Sequence, residues 1–132
     1  MAHEHQHQPG KKSSYLLPHN LYMQVLYIIR DYDRLKDEYH ELVDISARRL
    51  VDKITGNEIE KHTENRAIKR IQILEKLKAI EQALINIPQE YRQGIKHNIM
   101  YKSWYPNDAG ISTYRRWKQR FIYYVAENLN YV

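Results

Sequence analysis

Residues 18–43 read PHNLYMQVLYIIRDYDRLKDEYHELV, and the spacing inside them decides the fold class. Tyr22, Val25, Ile29, Tyr32, Leu35, Tyr39 and Leu42 follow one another in steps of three and four, the period of a helix with one buried face. Arg30, Asp31, Arg34, Asp37 and Glu41 fall on the other, solvated side. The pattern predicts one long amphipathic helix from Pro18 to Val43. The proline suits its first turn, where a missing N–H has no helical partner to lose.

Outward from this stretch, the chain keeps the helical period. Four glycines and four prolines in 132 residues are too few for the turns of an all-β fold. Ser46 to Ile54 continues the helix or forms a short separate one, and Thr55-Gly56-Asn57 reads as a break. Glu58 to Thr63 reads as a loop. A second long helix is expected from Glu64 to Ile87, on a seam of Ile73, Leu77, Ile80, Leu84 and Ile87, with Thr63 as its N-cap. Pro88 opens a shorter helix to Tyr101, with Tyr91, Ile95 and Ile99 on one face. The turn-forming stretch 103–110, SWYPNDAG, then reverses the chain. A last helix is expected over 112–129, capped by Ser112 or Thr113.

The expected fold is therefore all-α: two long amphipathic helices, paired antiparallel or dimerising, then a short helix-turn-helix-like C-terminal unit. The organisation read from the chain is a disordered tail over 1–14, a helical hairpin over 15–87 with a loop near 55–63, and a basic unit over 88–132. His3, His5 and His7 alternate in the tail, a pattern of weak metal affinity that is more often simply a polar extension.

Composition narrows the function classes. The chain has no cysteine, so no disulfide and no thiolate zinc site, which fits a reducing compartment. No apolar run approaches the ~18 residues of a membrane span, and no signal peptide is legible. The expected place is a cytoplasm, away from membranes. No phosphate-binding glycine loop, nucleophile elbow or zinc-protease motif is present, and His40, His62 and His97 have no second ligand at metal spacing. No enzyme and no cofactor is expected.

Charge is uneven. Residues 1–87 hold 14 Lys/Arg against 13 Asp/Glu, a balance of +1, whereas residues 88–132 hold 7 against 3, a balance of +4. On a helical wheel the last helix gathers Tyr114, Trp117, Phe121, Tyr124, Val125 and Leu129 on one side. Ser112, Arg115, Arg116, Gln119 and Tyr123 gather on the other, with Arg120 at the edge and Lys118 near the apolar margin. Arginine bonds bidentately to guanine, glutamine to adenine, and hydroxyls serve phosphates or base edges. The same face is also what an ordinary solvated helix presents, because arginine is a good helix former.

Context favours nucleic acid. The stretch 87–129, IPQEYRQGIKHNIMYKSWYPNDAGISTYRRWKQRFIYYVAENL, resembles the C-terminal part of phage-encoded transcriptional regulators of the RinA and ArpU type. These are similar in turn to the promoter-reading fourth region of bacterial sigma factors. The stretch 17–39, LPHNLYMQVLYIIRDYDRLKDEY, resembles the start of such phage and prophage proteins. The resemblance implies a helix-turn-helix that binds double-stranded DNA, with Ser112, Thr113, Arg115, Arg116 and Gln119 at recognition positions. Arg120 and Tyr123 extend that set along the helix. Implied partners are duplex DNA, RNA polymerase, and a second copy paired through the long helices. In one respect the sequence departs from the pattern: only eight residues, 102–109, stand where a positioning helix belongs, and Pro106 is among them. Trp104 and Tyr105 either pack there or contact a partner, packing being the commoner use of large aromatic side chains. The competing reading is a helical interaction or assembly module that does not bind DNA.

Twelve tyrosines are the oddest feature of the composition. Tyr22, Tyr32, Tyr39, Tyr91 and Tyr114 fall at core-facing positions, where the ring packs and the hydroxyl reaches outward.

Overall fold

The structure, a computed structural model, describes residues 14–51 and 57–132. Those residues form five helices and no strand: α1 (His19–Arg30), α2 (Tyr32–Val51), α3 (Asn57–Ile85), α4 (Gln89–Tyr101) and α5 (Ile111–Asn128). No helix among them is long and apolar enough to cross a membrane. The expected tail, its histidines, and most of the expected 55–57 break lie outside the described residues, and Asn57 itself is helical.

The single helix expected over 18–43 is two helices meeting at Asp31, whose φ of −83° and ψ of 3° depart from helical values. The Asp31 N–H is shared between the carbonyls of Tyr27 and Ile28, both at 3.1 Å, and its carboxylate accepts from Arg34 Nη2 at 2.8 Å. Aspartate is a poor interior helix residue. Because of the bend, α1 packs on α4 and α5 while α2 packs on α3. Periodicity runs unbroken through Asp31, so the pattern carried no sign of it. Pro18 stands one place earlier than expected, at the N-cap, where its carbonyl accepts from Tyr22 N at 2.9 Å.

The expected loop over 58–63 is helical. α3 starts at Asn57, so Thr63 lies within it and is not its cap. Polar residues with good helix propensity extend a helix without leaving an apolar period behind them, which is why this turn-and-a-half read as loop. The seam itself holds: Ile73, Leu77, Ile80 and Ile87 are buried and Leu84 is half-buried. Ala79 and Ala83 are buried beside it, because α3 is covered on two sides, by α2 and by α5. The small alanines let α5 come close, and Asn128 Nδ2 donates to Ala79 O at 3.0 Å.

Polar side chains tie the layers. Tyr32 donates to Glu81 Oε1 at 2.8 Å, Lys69 pairs with Glu38 at 2.7 Å, Arg30 Nε donates to Ile99 O at 3.2 Å, and Tyr101 donates to Asp33 Oδ2 at 2.6 Å. Arg92 reaches back to the carbonyls of Ile87 and Ile85, at 2.7 and 2.9 Å, satisfying acceptors at the end of α3 that have no helical partner. By contrast, among the described residues between 43 and 72 no side chain is fully buried. The far half of the α2–α3 hairpin is a two-helix arm, and Ile68 and Ile71 lie exposed on it.

Of the core tyrosines, Tyr22, Tyr32 and Tyr114 are buried, and Tyr39 and Tyr91 are half-buried. Burial pushes the phenol pKa of all three buried rings up to about 12, with the Tyr32 bond to Glu81 and the Tyr114 bond to Asp108 adding to it.

Candidate nucleic-acid interface

Helix α5 is the centre of the molecule as well as its basic element. Tyr114, Lys118, Gln119, Phe121, Ile122, Val125 and Ala126 are buried against α1, α3 and α4. Ser112, Arg115 and Arg116 are exposed, and Thr113 is half-buried. The open face is therefore confined to the first two turns. Ile111, 51% exposed, sits at its edge.

The N-terminus of α5 differs from expectation. Gly110, in extended conformation (φ −69°, ψ 152°), stands at the N-cap, and Ser112 and Thr113 lie inside the helix. The Gly110 carbonyl accepts from Thr113 N at 3.1 Å and Tyr114 N at 3.3 Å. No side chain caps this end, which leaves first-turn N–H groups and the positive end of the dipole for an anion. Two carboxylates stand near. Asp108 accepts from the Tyr114 hydroxyl. Burial raises the Tyr91 pKa, Glu90 and Asp108 add to the rise, and Arg116 works against it.

Two of the expected recognition residues, Gln119 and Tyr123, are not where the wheel put them, and Arg120 stays at the edge. Gln119 is buried, 5% exposed, because α3 and α4 cover α5 on more sides than a two-faced wheel allows. Arg120 is half-buried: its guanidinium carbon lies 4.9 Å from the Tyr15 ring centre and 4.8 Å from that of Trp117. Its Nε, shielded beneath them, meets no acceptor among the described residues. Tyr123 is half-buried, edge-on to Tyr15 at 5.4 Å. The segment before α1 thus folds over the α5 face expected to be open. Tyr15 also meets Tyr124 edge-on.

The connection between α4 and α5 departs from a helix-turn-helix. It takes nine residues, 102–110, none of them helical. Tyr91 lies edge-on to Tyr114 at 5.3 Å, and Asn98 lies on Lys118, so contacts advance along both helices together. The two run side by side in the same sense, and the chain between them returns as a strap along α4. Lys102 begins it in the left-handed conformation at φ 56°. Asn98 Nδ2 donates to Ser103 O at 2.8 Å, and Asn98 Oδ1 accepts from the buried Lys118 Nζ at 2.9 Å. Tyr105 stacks flat on Tyr114, 5.1 Å between centres and 9° between planes. Pro106 crosses Gly94 so closely that a Cβ there would stand 2.8 Å from Pro106 Cδ and 2.9 Å from Tyr114 Cε1. The expected packing role falls to Tyr105 alone; Trp104 is 67% exposed.

Lys118 and Asn98 carry weight that the sequence reading did not assign to them. Gly94 was the available signal: a glycine inside a helical pattern marks a close approach, and here it receives the strap. No group of three or more His, Asp or Glu among the described residues is arranged to hold a metal ion. No protein-family model, curated protein or solved structure matches this chain.

Proposed function

We propose that this chain is a non-catalytic DNA-binding transcriptional regulator of phage or prophage type, meeting duplex DNA through the first two turns of α5. One observation carries the reading: Ser112, Arg115 and Arg116 stand exposed at an end that no side chain caps, on a helix anchored in the core through Lys118, Phe121, Ile122 and Val125. Recognition helices read base edges with their N-terminal residues and need rigid support behind them. The contact set is Ser112, Thr113, Arg115 and Arg116. Gln119 belongs to the core, while Arg120 and Tyr123 act through the Tyr15 clamp.

So small a footprint neutralises few phosphates, and affinity from one copy is weak and steeply salt-dependent. RNA polymerase, or a second copy, supplies the remaining binding energy at a promoter. Fluorescence anisotropy with a labelled mixed-sequence duplex at about 50 and 200 mM salt tests the reading. Arg115→Ala and Arg116→Ala should each cost about 1–3 kcal/mol of DNA affinity without changing the helical signal. Unchanged affinity in both would sink it.

A second reading has its own observation. Ile68 and Ile71 lie 48% and 55% exposed on the two-helix arm, as on a helical assembly module. A stable dimer with no salt-sensitive affinity for DNA would favour it.

A further inference from the structure

Trp104 is the feature that the reading above leaves unused. Among the described residues no large apolar side chain is more exposed, at 67%. Exposure of an indole on a loose loop would mean little, but this one is held out by its neighbours. On one side Ser103 is fixed by Asn98, which Lys118 of α5 grips in turn at 2.9 Å. On the other, Tyr105 is stacked on Tyr114 of α5 at 5.1 Å. Both ties end on the helix that carries Arg115 and Arg116, so the indole and the basic end are one rigid arrangement. Each tie also has a cost. Lys118 is 2% exposed, and a buried ammonium loses its hydration and recovers it only through well-placed acceptors. The chain thus spends stability to fix a strap whose outward product is Trp104, with the exposed cation Lys102 two residues before it.

We propose that Trp104 and Lys102 form a second contact on the same duplex DNA, the indole packing on sugar or groove edge and the ammonium on a phosphate. The inference rests on the DNA reading and deepens it: the strap takes the place of the missing positioning helix as the element that sets α5 on the backbone. A tryptophan already held in place offers a large apolar face to a ligand with little ordering left to lose, and a lysine beside it supplies a sequence-independent charge contact to phosphate.

The test uses the full chain. Trp104→Ala should weaken binding to the mixed-sequence duplex by about tenfold, and Trp104→Phe by less. Lys102→Ala should lower the slope of log affinity against log salt by about one. With Trp117→Phe leaving Trp104 as the only tryptophan, its emission should change on titration with the duplex. If wild type fails to bind DNA, the functional reading falls and this inference with it. Should wild type bind while Trp104→Ala binds within twofold of it and the emission stays constant, this inference alone is overturned.

Discussion

The two halves of α5 share one helix and one composition of aromatic and basic residues, yet they have opposite fates. In the first half, Ser112, Arg115 and Arg116 face solvent around a single buried ring, Tyr114. In the second, Lys118 and Gln119 are buried along with Phe121, Ile122, Val125 and Ala126, and Arg120 is clamped between two aromatic rings. What separates them is the number of neighbours. α3 and the segment at Tyr15 reach the second half, where Asn128 meets Ala79 and Arg120 meets Tyr15. A basic residue on this helix is therefore exposed or a structural strut according to its turn, and residue type alone does not say which.

Alkali should abolish the contrast altogether, and this is the largest effect expected. Tyr22, Tyr32 and Tyr114 hold their protons to about 12, against 10 for the unfolded phenol. A proton held more tightly in the folded chain stabilises it fully below pH 10, and that contribution drains away as the pH rises to 12. Circular dichroism followed with tyrosinate absorbance should show helicity lost together with the last part of the tyrosinate signal, in one cooperative step between those values. Tyrosinate absorbance reaching that of all twelve tyrosines with helicity intact would show that these rings are not buried.

Within the second half, Phe121→Ala should cost about 3–5 kcal/mol in thermal or denaturant unfolding, because the ring is 1% exposed and its cavity cannot collapse. Gly94→Ala is next, at about 1–3 kcal/mol, since the added methyl meets two rigid rings, Pro106 and Tyr114. Its sharper signature is faster amide exchange at Ser103 and Tyr105, as the strap lifts. Gln119→Ala and Arg116→Ala then give the cleanest opposition. The first should cost about 1–2 kcal/mol of stability, through a lost buried polar contact, and leave DNA affinity unchanged in a titration run well below its melting temperature. The second should stay within about 0.5 kcal/mol of wild type in stability, as exposed positions do. Reversed outcomes for this pair would mean that the two halves of α5 have been assigned the wrong way round.

The sequence by itself determined the helices, their order and most of their core faces. Steps of three and four through Tyr22–Leu42 and Ile73–Ile87, with Pro18 and Pro88 at the helix starts, left the end of α2, at Val51, open and otherwise place α1 to α4 to within a residue or two except at two points. Both exceptions have a local cause that periodicity does not register: the bend at Asp31, and the polar first turns of α3. The basic, aromatic content of α5 was equally legible, because composition belongs to the chain before it folds. Tertiary structure alone decided which of its cations face water. A wheel supposes one buried side and one open side, but α5 is covered by three helices, α1, α3 and α4. Burial of Lys118 depends on Asn98, 20 residues away in the chain, which accepts from its ammonium. The strap belongs to the same class: Gly94, Pro106, Tyr105 and Tyr114 are unremarkable apart, and only their meeting turns the stretch 102–110 into a fixed element that holds Trp104 outward.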